Sequence, residues 1–132
     1  MRITIDDVRP LYCVRGAKGW FADHGLDFRA FLAEGIDVET FLATGDERAQ
    51  AVVRHKLRQQ ADLSGMVLTA RDAQGIFCAL GLRGWCREVG LDERRLFGEG
   101  VPATELLALN DVEVMKVIMR KLRTEGVGHG GR

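Results

Sequence analysis

The sequence predicts an all-α protein made of two tandem copies of a roughly sixty-residue four-helix module, long-short-short-long, packed as a pseudo-two-fold pair. Three observations carry that prediction. Residues 3–58 slide onto 68–123 without a gap, with identities from Thr4/Thr69 and Asp7/Asp72 through Cys13/Cys78, Gly16/Gly81 and Trp20/Trp85 to Lys56-Leu57-Arg58 and Lys121-Leu122-Arg123. Helix start and stop signals recur at matching places in both copies. Strand signals are nearly absent, because no segment alternates apolar and polar residues for long. Two copies are too few for a solenoid. The organisation that follows is a helical repeat over 3–58, a connector over 59–67 containing Ser64-Gly65, a second repeat over 68–123, and a glycine-rich tail over 124–132 expected to be disordered.

Each element has its own signal. Thr4-x-x-Asp7 and Thr69-x-x-Asp72 are capping signals for a first long helix. That helix is expected to run to about His24, where Gly25 followed by Leu26 fits a glycine C-cap with its hydrophobic contact. Pro10 sits early in it and shifts or kinks the first turn; Gly75 takes its place in the second copy. Asp27 caps a short helix ending at Gly35, and Asp37 (Pro102 in the second copy) opens another. Asp46 and Asp111 cap a final helix of roughly three to four turns.

The stretch CVRGAKGW, at residues 13–20, returns as CALGLRGW at 78–85. On a helix Val8, Tyr12, Cys13, Gly16, Ala17, Gly19 and Trp20 share a face, and their counterparts Ala73, Phe77, Cys78, Gly81, Leu82, Gly84 and Trp85 are all apolar or glycine. A mid-helix glycine costs roughly 0.5–1 kcal/mol relative to alanine. The expected offset is close approach of another backbone, with the tryptophan covering the groove and the cysteine acting as a small hydrophobe. The stretch is read as a packing motif.

Composition bounds the function. The 132 residues carry 19 basic and 19 acidic side chains, 46% hydrophobic residues and a near-neutral pI of 6.8. Neither a basic balance suited to nucleic acid nor a basic amphipathic stretch suited to a membrane surface is present. The N-terminus MRITIDDVRP lacks the apolar core of a signal peptide, no run approaches membrane-spanning length, and three cysteines form no disulfide scaffold. A cytoplasmic setting with reduced thiols follows as the expectation. No metal site is expected, since His24, His55 and His129 cluster with no cysteine at ligand spacing. Gly16-x-x-Gly19 lies inside a helix with no strand before it, so it is not a phosphate loop. No catalytic residue and no cofactor are assigned.

The copies differ most in their last helices. The stripe Ala49, Val52, Val53 and Leu57 recurs as Val114, Val117, Ile118 and Leu122, and the second copy then adds Val112, Met115 and Met119. These three replace Glu47, Gln50 and Arg54 and widen the apolar arc. Two readings stay open: packing between the modules, or a surface for a protein partner or a second copy. Val112, Met115 and Met119 are therefore the candidate partner-binding residues.

Nucleic acid is the alternative. LAEGIDVETFLATGD (32–46) and FGEGVPATELLALND (97–111) have a helix–glycine–helix rhythm, but their second helices carry acids and no lysine or arginine. The basic residues lie on the last helices, and Arg54, Lys56, Arg58, Arg120, Lys121 and Arg123 are the candidates for a small helix-turn-helix-like regulator. The ordinary explanation is that cations late in a helix complement its dipole.

The run Thr4-x-x-Asp7, Cys13-x-x-Gly16, Trp20-Phe21, His24-Gly25-Leu26-Asp27-Phe28, Phe31, Gly35-Ile36 and Leu42-Ala43-Thr44-Gly45-Asp46 resembles small helical proteins encoded in virion and morphogenesis gene clusters of tailed phages and prophages. The second copy follows it more loosely, with Val89, Glu93 and Leu96 in place of His24, Phe28 and Phe31. The resemblance implies a non-enzymatic virion component such as a head–tail connector or adaptor, found in the host cytoplasm or the assembled particle. It carries no catalytic residues.

Overall fold

The residues just before Thr4 and Thr69 are not the lead-in to a long helix; each pair forms a strand. Arg2–Ile3 (β1) pairs antiparallel with Ile36–Asp37 (β2), in the register Arg2↔Asp37 and Ile3↔Ile36. Val67–Leu68 (β3) pairs in the same way with Val101–Pro102 (β4), in the register Val67↔Pro102 and Leu68↔Val101. Strands of two residues are too short to show alternation in sequence, which is why an all-helical module was expected. The computed structural model describes residues 1–130, with side chains for all but residue 61 and residues 125–130.

The chain is mostly helical and divides into two compact units, Met1–Leu57 and Arg58–Arg132. After β1 the first unit runs through helices Ile5–Val8 (α1), Val14–Asp23 (α2) and Phe28–Glu34 (α3), then β2, Val38–Leu42 (α4) and Glu47–Arg58 (α5). The second has a 3₁₀ turn, Ala61–Gly65, then β3, Ala79–Val89 (α6), Glu93–Phe97 (α7), β4, Ala103–Leu107 (α8) and Val112–Gly130 (α9). Of the tail expected to be disordered over 124–132, the backbone up to Gly130 continues α9, and residues 131–132 lie outside the described residues.

The single long first helix is the main correction. In the first unit it is broken between Val8 and Val14; in the second, residues 70–77 are turns closed by a Gln74↔Phe77 bridge, and no α-helix starts before Ala79. The break follows from chemistry at one shared position. Pro10 cannot donate an N–H to a continuing helix, and Gly75 sits at φ +92°, a left-handed conformation that no helix contains.

Cys13 and Cys78 are consequently helix N-caps and not mid-helix residues. Both have extended backbone, and each Sγ accepts the N–H of the glycine three residues on, Gly16 or Gly81, at 3.3 Å. Both thiols are exposed, so neither fills a groove. The glycines have local roles. A Cβ at Gly16 would stand 3.3 Å from its own capping sulfur, whereas one at Gly19 would meet nothing within 4 Å. Close approach of a second backbone therefore does not explain Gly19.

The expected ends hold. Leu26 N–H reaches Phe21 O, and Leu91 N–H reaches Cys86 O, each at 2.8 Å, across left-handed Gly25 and Gly90. That is the paired-bond glycine stop which satisfies the last carbonyls of a helix. Asp27 and Asp92 cap α3 and α7 through backbone N–H bonds.

The core of the first unit is Ile3, Phe21, Phe31, Phe41, Val52, Val53 and Leu57, all at most 3% exposed. That of the second includes Leu68, Cys86, Leu96, Val101, Leu107, Met115 and Ile118, likewise at most 3% exposed. Each fully buried side chain of this size contributes about 1.5–3 kcal/mol of transfer free energy.

Candidate functional site

Lysine 56 lies on α5, a helix whose apolar stripe faces the core, and it points back to the start of its own unit. Its Nζ donates to Arg2 O and to Asp7 Oδ2, both at 2.8 Å. The same Asp7 carboxylate accepts the Thr4 N–H at 2.8 Å, so a single oxygen closes the capping box and binds the lysine. Sixty-five residues on, Lys121 donates to Val67 O at 2.7 Å and to Asp72 Oδ2 at 2.9 Å, while Asp72 takes the Thr69 N–H at 2.8 Å. Burial pushes the Asp72 carboxyl up, but the bonds from Lys121 and the Thr69 N–H outweigh it and hold the group below its ordinary range.

Two of the basic residues expected for nucleic acid are thus internal struts. Arg120 is a third, giving its Nη2 to the carbonyls of Asp72 and Gln74. Arg54 is half-buried, and only Arg58 and Arg123 of the six are exposed. Lys56 and Lys121 reach the first strand of their own unit, and Arg120 reaches the turns after β3.

The methionine face is placed just as definitely. Met115 is 0% exposed, Met119 is 9% exposed and Val112 is half-buried. Met115 and Met119 are therefore core positions and offer no free surface to a partner, whereas Val112 keeps part of its surface.

The tryptophans show where the units part. Trp85 Nε1 donates to Asp111 Oδ2 at 2.9 Å. Trp20 is equally buried, but its Nε1 has no hydrogen-bond partner. The corresponding Asp46 is turned to other groups: Arg48 gives it Nε at 3.1 Å and Nη2 at 3.0 Å, and His24 Nε2 stands 3.5 Å away. The Arg48 bond holds the Asp46 carboxyl far below the usual carboxylate range against the opposing effect of burial, and the nearby Trp20 N–H adds a smaller push the same way.

Sequence reasoning missed the feature these residues frame. Tyr12 from the break, Cys13, Ala17 and Trp20 from the start and inner face of α2, Phe41 from α4 and Arg48 from α5 enclose a cleft of about 130 Å³. Its walls are apolar, and Arg48, with 59% of its side chain exposed, stands at the mouth. Two sequence differences were the available signal. Ala17 is Leu82 in the second unit, where it is 3% exposed, and Arg48 is Glu113. The pairing of Tyr12 with the break could not be read without knowing that the helix stops.

Among the described residues no group of three or more His, Cys, Asp or Glu side chains could hold a metal ion, and no helix is long and apolar enough to cross a membrane. No protein-family model, curated protein or solved structure matches the chain.

Proposed function

We propose that this protein is a non-enzymatic structural component that acts by protein–protein contact, built from a duplicated helical module, and that it serves in tailed-phage particles as a head–tail connector or adaptor. The observation that carries the reading is the way the units differ. They share strand registers, cysteine caps and lysine struts at positions sixty-five apart, yet the first keeps an open apolar cleft beside a cation where the second has Leu82 and Glu113. A shared frame with divergent recognition side chains suits an assembly part that meets different neighbours. The DNA-binding alternative has less to stand on, because Lys56, Arg120 and Lys121 are engaged within their own units.

The experiment is particle analysis. Gradient-purified particles from cells expressing the gene's whole cluster should contain the protein at a fixed stoichiometry by quantitative mass spectrometry. Deletion of the gene should leave unjoined or incomplete particles in electron micrographs. Particles that lack the protein, together with normal assembly after deletion, would reject the reading.

A further inference from the structure

The two units part again beside the lysine strut. A pocket of about 280 Å³ lies between the turns that follow β3 and helix α9, lined by Arg71, Asp72, Arg120, Lys121 and Thr124. Asp72 and Lys121 are the pair that both units share. The other three have changed: Arg71 stands where the first unit has Asp6, Arg120 where it has His55, and Thr124 where it has Gln59. At these positions the first unit sets two carboxylates against one lysine. The second sets three cations against one carboxylate.

These cations are positioned without being neutralised. Asp72 Oδ2 takes Lys121 Nζ at 2.9 Å and the Thr69 N–H at 2.8 Å, so the one carboxylate is balanced by the lysine. Arg120 gives Nη2 to the carbonyls of Asp72 and Gln74, which leaves its Nε–H and both Nη1 hydrogens. Its seat depends on the bare backbone at Gly75, where a Cβ would stand 2.9 Å from Nη1; the first unit has Pro10 there and the shorter His55 in place of the arginine. Arg71 is exposed, and among the described residues neither it nor Arg120 is paired with a carboxylate. Two such guanidinium groups at one pocket repel each other, and an anion between them turns that repulsion into attraction. Planar forks of N–H donors match phosphate oxygens, and an excess of two positive charges matches a phosphoryl dianion. One phosphate ion does not fill about 280 Å³, given about 30 Å³ for a water molecule, so a small esterified group has room beside it.

We propose that this pocket of the second unit binds a phosphoryl dianion, either inorganic phosphate or the phosphate of a small phosphomonoester. Arg71 and the free Nη1 and Nε groups of Arg120 are its donors, and Lys121 adds charge from the strut. The site belongs to the second unit alone. It goes beyond the assembly reading and does not depend on it.

Isothermal titration calorimetry of the full chain tests this, in phosphate-free buffer at fixed ionic strength, with inorganic phosphate and glycerol 3-phosphate as the probes. At least one probe should bind saturably at a single site and raise the wild-type Tm. Arg71→Asp installs the first unit's residue at an exposed position, so it should keep the wild-type circular dichroism and weaken binding about tenfold or more. Arg120→His, the first unit's residue at the second donor, should weaken binding as well. Arg87→Asp makes the same change of net charge on α6 and should leave binding as it was. Tighter binding of glycerol 3-phosphate identifies a phosphomonoester as the ligand, and the reverse order identifies the free ion. No saturable binding of either probe overturns the proposal, as does binding indifferent to Arg71→Asp or lost equally in Arg87→Asp. A DNA duplex that binds more tightly than both probes, and does so through Arg71, would assign the pocket to a phosphodiester backbone and overturn it too. None of these outcomes bears on whether particles contain the protein, so the assembly reading stands or falls separately.

Discussion

In the first unit the space between the helices is filled mainly by rings; in the second, Trp85 and half-buried Phe77 remain while aliphatic and sulfur side chains fill the rest. Phe21 stacks at 4.4 Å on Phe31, and Trp20 meets both Phe21 and Phe41 at 5.2 Å. The counterparts of Phe21, Phe31 and Phe41 are Cys86, Leu96 and Leu106, and of these rings only Trp20 is matched by another, Trp85. Volume lost there is regained elsewhere, because Ala17 becomes Leu82, Gln50 becomes Met115 and Arg54 becomes Met119, all three replacements buried. The backbone devices do not change. The comparison teaches that strand pairs, capped breaks and the lysine strut define this module, while its core tolerates redistribution of volume, as close-packed interiors do when totals are kept.

The sharpest way to break that comparison is a charge in the redistributed core. Met115→Lys buries an ammonium at a fully enclosed position and should cost at least about 3 kcal/mol. Gln50→Lys, at the half-buried equivalent, should change stability by less than about 0.5 kcal/mol. Denaturation followed by Trp85 or Trp20 fluorescence, each in a background where the other is phenylalanine, reads the units separately. Equal losses in both would show that the helix faces are alike after all.

The strut should behave identically in the two units. Asp7→Asn and Asp72→Asn each weaken a capping box and leave a partly buried lysine without its carboxylate, so each should cost about 2 kcal/mol by urea denaturation. A large effect in one unit alone would mean that the frame is not shared.

Acid sharpens the same point. Asp46 and Asp72 have folded-state pKa values below their ordinary ones. Their stabilisation is fully present above the unfolded value of about 4 and is lost as pH falls through the lower folded value. Asp46→Asn should flatten the acid side of the first unit's stability profile, and Asp72→Asn that of the second. A slope unchanged by both substitutions would assign acid unfolding to other carboxylates.

Tryptophan chemistry separates the units by less. Trp85→Phe removes the bond to Asp111 and should cost about 1 kcal/mol more than Trp20→Phe, which breaks none. The smallest effect has the opposite sign. Gly19→Ala adds a methyl that meets nothing within 4 Å inside α2 and should stabilise by about 0.5–1 kcal/mol. Gly84→Ala should match it in α6, where a Cβ likewise meets nothing. Calorimetric melting of both variants checks the sign.

Much of this was legible in the residues. Thr4-x-x-Asp7, Asp27 and Gly25-Leu26 announce local events, and each acts within a few bonds of itself. The break after α1 was half legible. A helix breaker stands sixty-five positions apart in the two units, as Pro10 and Gly75, but only with an extended N-cap at Cys13 does a kink become a stop. The two-residue strands were not legible, since their partners lie more than thirty residues away and their pattern is too short. The role of Lys56 was hidden for the same reason. A lysine late in a helix reads as a dipole complement until its target, forty-nine positions earlier, is in place. The cleft needed all of these at once.

Lysine 56 also ties the last helix of its unit to the second residue of the chain, through Nζ and the Arg2 carbonyl. A module fastened at its own seam has its entrance and exit side by side. Such a piece can be copied in tandem with only a short joining segment, because neither copy must reach across itself to begin the next. It can also be re-cut: joining residue 57 to residue 2 through a short glycine linker and opening the chain at exposed Gly45 should yield a first unit that still folds.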